Sequence, residues 1–451
     1  MIDIVFTLVV VLLLALITGM LTLRFPRPMR PYVWIALAEY LFCAAAQLYY
    51  SRVVVQGGDT MIYAQIGGDL SKFLDSNFSW SWRELLAMLF QQPSAFDTLI
   101  DSPQSNTASM FAAVAWLLFF LRGATTAAHV LVAGLAMLGA LGIYRACQDA
   151  CPEASPKPLF VATVLFPSVA FWTAALHKEA FGIMGIGALL AGWRCIYQRR
   201  LAALLWVPLG VALIVLFRAP ALPPVVLGLV VFLAWDRMQK LRGANVVLLG
   251  PVYLAVGLGI LAVAMIVVSR VSPTLGLDQL AETVATKQQG WTLSRGGSSF
   301  DETQDQAPQT LSGQLVRFPI ALLNSLFRPQ FFDVNNFGAL ISAIEMTFIT
   351  VMLINAVRRR GPGGFFIAIQ RSPFLMMCSV VTLVGCTFVG LVTLNFGSLA
   401  RYRVPFLPFY GALVMTLAAR TAKAASPVAS RTAATPLRRA LAAKRLRDQR
   451  T

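Results

Sequence analysis

The sequence predicts an all-α polytopic membrane protein that crosses the bilayer about eleven times. Three observations carry this. Hydrophobic residues make up 57% of the 451-residue chain, and the mean hydropathy is +0.70, above what soluble globular domains show. Only 13% of residues are charged, yet the formal net charge is +17, so the few charges are mostly Lys and Arg and must be explained by location. Apolar stretches recur at close to the ~20 residues that a hydrocarbon core of ~30 Å requires. A soluble globular fold does not fit these observations.

The expected spans are 3–23, 32–53, 124–144, 157–172, 179–197, 201–217, 219–235, 244–269, 337–357, 373–395 and 403–420. The first has neither a basic leader nor a small-residue cleavage motif and reads as a retained span rather than a removed signal peptide. Residues 421–451 carry Lys423, Arg431, Arg438, Arg439, Lys444, Arg445, Arg447 and Arg450 against Asp448, which predicts a disordered cytoplasmic tail. Its leading role is a topology anchor on anionic membrane lipid, with RNA or protein binding as the alternative; nucleic acid is not expected as a partner.

Counting back from that tail places Arg24/Arg27/Arg30, Arg145/Lys157, Arg194/Arg199/Arg200, Arg237/Lys240/Arg242 and Arg358/Arg359/Arg360/Arg371 in the cytoplasm. The N-terminus is then outside, as are two long loops at about 54–123 and 270–336. The first loop predicts interfacial helices over 73–90 and 109–121. The second of these is short for a span, and counting it as one would expose every later basic cluster. The second loop contains a Gly-, Ser-, Gln- and Thr-rich stretch, Gln288 to Gln314, with the run Gly296-Gly297-Ser298-Ser299, and reads as a mobile binding or lid segment. Cys43, Cys147, Cys151, Cys195, Cys378 and Cys386 lie in or beside spans or cytoplasmic loops and imply no disulfide framework. Cys147 and Cys151 have a metal-like spacing, but His129 and His177 are expected elsewhere, so zinc is not.

Chemistry is expected on the external side. Gly57-Gly58-Asp59-Thr60-Met61-Ile62-Tyr63 follows the second span, where two glycines permit a sharp turn and leave Asp59 at the membrane face. That carboxylate is the first catalytic candidate, as a base toward an acceptor hydroxyl or as a ligand to a divalent metal; a helix cap is the bland reading. A second group is His177-Lys178-Glu179, at a helix start that favours the Glu, with Lys178 placed to meet phosphate and His177 to move a proton. The bland reading there is an interfacial cap with a Lys–Glu pair. Arg218, Arg328, Arg401 and Arg403 sit at external span ends, against the positive-inside preference. Guanidinium groups there suit phosphate oxygens, and snorkelling to headgroups is the alternative. Glu39 and Glu345 are isolated carboxylates within spans, expected to serve helix packing, with a proton path as the functional option.

The order Leu121-Arg122-Gly123, Tyr144-Arg145, Pro167 and Lys178-Glu179 resembles the membrane core of GT-C superfamily glycosyltransferases, which use polyprenyl-phosphate-linked sugars. The resemblance implies that Asp59 matches the family's acid after the first span, a catalytic base or metal ligand, with Mg or Mn as the metal, and that Tyr63 belongs with the substrate-binding residues. Leu326-Phe327-Arg328-Pro329 and Arg401-Tyr402-Arg403-Val404-Pro405-Phe406 look like segments of bacterial polysaccharide-assembly proteins. About half the chain is covered. One departure is that the family often has paired acids in the first loop, where this chain has a lone Asp59.

The expected function is transfer of a sugar from a polyprenyl-phosphate donor to a glycan or lipid acceptor at the outer face of the bacterial inner membrane. The alternatives are an O-antigen or exopolysaccharide polymerase or ligase acting on lipid-diphosphate-linked chains, a lipid-linked sugar flippase, and a non-enzymatic scaffold. A flippase predicts internal repeats, broken helices and midplane carboxylates. Of these only the carboxylates, Glu39 and Glu345, are visible in the sequence.

Overall fold

The computed structural model describes residues 1–100, 103–240, 311–334 and 337–419, with scattered positions between 252 and 288. In chain order the helices are α1 (Ile2–Thr22), α2 (Arg30–Tyr49), α3 (Asp59–Ser76), α4 (Phe78–Leu89), α5 (Asn106–Phe120), α6 (Thr125–Ala150), α7 (Pro156–Val164) and α8 (Pro167–Thr173). They continue as α9 (Lys178–Tyr197), α10 (Ala203–Arg218), α11 (Leu222–Lys240), α12 (Leu311–Phe327), α13 (Phe337–Arg371), α14 (Pro373–Val392), α15 (Phe396–Tyr402) and α16 (Leu407–Ala418). No strand occurs among the described residues.

Seven stretches are long and apolar enough to cross a membrane: Ile2–Thr22, Arg27–Val54, Thr125–Ala150, Lys178–Tyr197, Ala203–Lys240, Ala339–Arg371 and Pro373–Val392. The chain is therefore a multi-pass helical membrane protein. Its lipid contact is plainest on α1, where Ile4, Leu8, Leu12 and Leu16 are all exposed. In water such a face would be an aggregation site; in a bilayer it meets its own kind.

Several expected spans take a different form. The stretch 157–172 is not one helix but two, α7 and α8, parted at Leu165 and Phe166. Pro167 is the physical cause, because it has no N–H to continue the ladder and pushes Phe166 to an extended backbone, φ −72° and ψ 120°. The pair 201–217 and 219–235 remains two helices, α10 and α11, because the chain reverses inside the apolar stretch Ala203–Lys240. Arg218 reaches Glu179 at the start of α9, whereas Asp236 accepts a hydrogen bond from Tyr197 Oη at 2.8 Å at the end of α9. The backbone turns at Arg218, with φ −143° and ψ 48°.

The stretch 337–357 continues to Arg371 across a kink at Gly361, whose φ of 70° suits glycine. The stretch 403–420 narrows to the 12-residue α16, preceded by turns through Arg403 and Phe406. The described positions between 252 and 269 are helical; the remainder of 244–269, most of 270–310 and the 421–451 tail lie outside the described residues.

Glycines set the tightest crossings. A Cβ on Gly187 of α9 would run into the backbone of Gly139 on α6, and one on Gly210 of α10 would meet Leu189 of α9. Membrane helices without a hydrophobic drive toward each other gain by such close backbone approach. The bundle has two polar ends. At one, Arg145 Nη2 donates to the Arg24 carbonyl at 2.9 Å and Arg194 pairs with Asp149. At the other, Asp3 caps α6, accepting from Thr126 N at 3.1 Å and Thr126 Oγ1 at 2.6 Å. The 20 residues of α9 run about 30 Å from Lys178 to the Arg194 end.

Candidate functional site

The site starts with two helix beginnings and two helix ends. α2 widens into a π-turn over Tyr50–Val54, and Gly58 then takes φ 85°, which a residue with a side chain adopts only under strain. This aims the first turn of α3 inward and sets Asp59 at its N-terminus, where the helix field favours a carboxylate. α9 opens with Lys178 and Glu179 in its first turn. α10 ends at Arg218, and α15 presents Arg401 and Tyr402 in its last turn.

These ends converge on an ion chain. Arg401 Nη1 lies 2.7 Å from Asp59 Oδ2, and Arg401 Nε lies 3.0 Å from Glu179 Oε2. Arg218 Nη2 stands 3.5 Å from Glu179 Oε1 and stacks over the Tyr402 ring at 4.4 Å. Lys178 Nζ donates to Thr107 Oγ1 at 2.7 Å and faces the buried Tyr63 ring at 5.9 Å. Thr60 Oγ1 and His177 Nε2 are 2.7 Å apart, while His177 Nδ1 is buried without a hydrogen-bond partner.

Access divides the two acids. The Glu179 side chain is fully buried, whereas 47% of the Asp59 side chain is exposed. Glu179 is therefore a sealed counter-ion, and Asp59 is the carboxylate open to the outside of the cluster. Burial alone would raise the Asp59 carboxyl, but the charge and hydrogen bond of Arg401 and the proximity of His177 hold it below the usual carboxylate range. Burial, followed by the charge of Arg401, pushes His177 down to about 3, so its imidazole is neutral at physiological pH. The Arg401 guanidinium loses from burial and gains more from Glu179 and Asp59, which fix it in the charged form. Three cations, Arg401, Arg218 and Lys178, thus stand against two carboxylates, and the cluster carries one positive charge in excess.

A cavity of about 150 Å³ opens beside this chain, with Lys178, Arg218, Asn106 and Tyr402 on one wall and Phe388 and Val389 of α14 on another. Its floor includes the α10–α11 turn. There Pro220 has no N–H for the carbonyl of Leu216, and Asn106 Nδ2 takes that acceptor at 2.7 Å and the Val215 carbonyl at 3.0 Å. Gln91 Nε2 adds a third contact, 3.1 Å to the same Leu216 oxygen. The long first loop is thereby pinned to the mouth of the cavity.

Seven of the nine residues singled out from the sequence meet here: Asp59, Tyr63, His177, Lys178, Glu179, Arg218 and Arg401. Two do not. Arg403 is fully buried, and its Nη1 and Nη2 donate to the Ser325 carbonyl (2.7 Å), the Arg328 carbonyl (2.9 Å) and Ser342 Oγ (3.0 Å), so it ties α12 to α13. Arg328 is engaged with Asp333 at 2.5 and 3.1 Å and lies over the Phe396 ring at 4.8 Å. Thr60, Thr107, Asn106 and Tyr402 belong to the site and were not singled out. Hydroxyl and amide side chains beside a helix start carry no distinguishing sequence signal until their partners are known. His129 is a core residue, bonded to the Thr125 carbonyl at 2.8 Å.

Mg or Mn fits this donor set poorly. Such hard cations take several carboxylate or carbonyl oxygens, yet Glu179 is sealed and Asp59 is already on Arg401. Among the described residues no group of three or more His, Cys, Asp or Glu side chains is placed to hold a metal ion.

No family model, curated protein or solved structure matches this chain.

Proposed function

We propose that the protein is a membrane glycosyltransferase that moves a sugar from a polyprenyl-phosphate donor to a glycan or lipid acceptor at the outer face of the bacterial inner membrane. The observation that carries this is the excess positive charge at Lys178 and Arg218 on a cavity whose opposite wall, Phe388 and Val389, is apolar. A lipid phosphate has that same division, an anion joined to hydrocarbon. On this reading the loop clusters beginning with Arg24, Arg145 and Arg194 are cytoplasmic, the chain crosses eleven times from an external N-terminus, and the Asp59 end faces outward.

Donor phosphate binds Lys178 and Arg218, and the leaving phosphate is stabilised as its charge develops, a term worth several kcal/mol in a water-poor site. While Arg401 is on it, Asp59 is a weak base because the guanidinium holds its charge. As Arg401 turns toward the phosphate, Asp59 regains basicity and takes the proton of the acceptor hydroxyl while that oxygen attacks the anomeric carbon. The sugar–phosphate bond breaks, and its electron pair leaves with the phosphate. No metal enters this sequence.

A transport reading is favoured by one specific observation, the broken helix α7–α8 beside the buried Glu345. Assay of Asp59→Asn in proteoliposomes with a labelled lipid-phosphate sugar separates the two. Loss of transfer with retained donor binding supports the transferase; wild-type transfer in that variant rejects it. Donor translocation without any product identifies a flippase.

A further inference from the structure

A water-facing groove lies between α3 and α5, the two helices whose first turns carry Asp59 and Thr107. The helices run side by side in the same direction. Tyr63 meets Phe111 with ring centroids 5.5 Å apart, a Cβ on Gly67 would run into Val114, and at the far end Arg122 Nη1 pairs with Asp75 Oδ1 at 3.3 Å. The groove holds about 490 Å³, within the size range of small-molecule sites. Its near end, Gln65, is about 9 Å of helix rise from Asp59. Thr125, on its far wall, opens α6 at the Asp3 end of the bundle.

Two adjacent glycines give the groove its shape. Gly67 lets α3 close on α5, because a Cβ there would stand 2.6 Å from Val114 Cγ1. Gly68 lines the groove, and a Cβ there meets nothing nearer than Leu118 Cδ1 at 3.9 Å, so the space is left open by a missing side chain.

The lining selects one kind of ligand. Gln65, Asp69, Ser71, Lys72 and Asp75 come from α3 and Arg122 from the α5–α6 turn, beside the Phe119 ring. The side chains of Asp69, Lys72, Asp75 and Arg122 are 64–81% exposed, so they face water and not hydrocarbon. Their charges cancel, two against two. They are held only by exposed pairs, Lys72 with Asp69 at 3.1 Å and Arg122 with Asp75 at 3.3 Å, which contribute little and exchange readily for a ligand's polar groups. An anion would meet two carboxylates and a cation two basic groups. A neutral, hydroxyl-rich molecule uses both, because each hydroxyl donates to a carboxylate and accepts from an ammonium or guanidinium. Phe119 adds an apolar surface for the C–H face of a ring. A hydrocarbon chain laid here would desolvate four charges and return nothing to them.

We propose that this groove is a glycan-binding site that holds the sugar chain of the acceptor along α3. The proposal rests on the transferase reading, whose acceptor it narrows from glycan or lipid to glycan.

The test presents the full chain in lipid nanodiscs to an array of purified bacterial oligosaccharides, neutral, amino and uronic, with binding of a polyprenyl phosphate measured in parallel. Wild-type protein is expected to retain neutral oligosaccharides, and to hold them more tightly as they lengthen. Gly68→Leu projects a side chain into the groove and raises helix propensity, so it should lower that affinity roughly tenfold or more and leave polyprenyl phosphate binding unchanged. The double variant Asp69→Asn, Lys72→Gln, at exposed positions, should weaken retention likewise and serves if Gly68→Leu does not fold. No oligosaccharide retained by wild type, or equal retention in the variants, overturns the glycan site, and intact polyprenyl phosphate binding then leaves the transferase reading standing. Retention confined to amino or to uronic chains overturns it in favour of plain charge attraction. Neutral chains lost in Gly68→Leu from a protein that binds no polyprenyl phosphate support the glycan site and overturn its acceptor role together with the transferase reading.

Discussion

Arg401 Nε lies 3.0 Å from Oε2 of the fully buried Glu179, a contact between the last turn of a seven-residue helix and the first turn of a membrane span. It fixes the positions of the other charges. Because Arg401 also holds Asp59, its loss leaves Glu179 with Arg218 alone, at 3.5 Å. Arg401→Ala is expected to destabilise the protein by about 3–5 kcal/mol, the penalty for leaving one member of a buried pair uncompensated. Thermal or denaturant unfolding in detergent measures this; an unchanged midpoint would show that the chain contributes no stability.

Acid should loosen the site in a defined direction. His177 is held near 3, below its ordinary value of 6.5, so the unfolded chain takes up a proton first as pH falls. The contribution of neutral His177 is complete above about 6.5 and is lost as pH drops toward 3. Asp59, depressed by Arg401, adds loss of the same sign at the acid end. The unfolding temperature should fall between pH 7 and 4 and fall less in His177→Gln. Equal slopes in the two proteins would show that His177 does not titrate on unfolding.

Lys178 depends on a neutral partner, since its Nζ is fixed by Thr107 Oγ1 at 2.7 Å. A hydrogen bond to a charged group contributes about 1.5–3 kcal/mol. Thr107→Val keeps the shape and removes the acceptor, so affinity for a polyprenyl phosphate should drop roughly ten- to a hundredfold by equilibrium binding to nanodiscs. Binding within twofold of wild type would free Lys178 from this role.

Asn106 closes the end of α10 through two carbonyls, at 2.7 and 3.0 Å. Asn106→Ala should cost about 1–3 kcal/mol by stranding the Val215 carbonyl and leaving Leu216 to Gln91 alone, and should expose the first loop to protease sooner than in wild type. Identical cleavage rates would show that Gln91 alone holds the loop.

The α6–α9 crossing predicts that Gly187→Ala destabilises, because a Cβ there runs into the backbone of Gly139. Gly363→Ala, where nothing lies within 4 Å, is the control. Comparable unfolding midpoints for the two variants would remove the close crossing from the account of stability.

Most of the helical plan was legible because apolar run length is a local property. It fails where the chain is locally apolar and still does not continue as helix. Pro167 breaks 157–172, whereas the break between 201–217 and 219–235 was legible at Arg218 and only the contacts that hold that reversal, Arg218 with Glu179 and Tyr197 with Asp236, lie beyond any window of sequence. Site residues with charge were legible because an ionisable group at a membrane face needs a reason. Thr107 and Asn106 were not, since a Thr or Asn satisfies itself in many settings.

By itself the sequence determined the solvent, a bilayer, and a set of charges too costly to sit there unpaired. It did not determine the pairing. Arg401 and Arg403 are two residues apart with the same chemistry, yet one meets Asp59 and Glu179 and the other is sealed among carbonyls. The α15 end turns the two side chains in different directions, and only the packing of α3, α9 and α13 around that turn decides which arginine meets an acid.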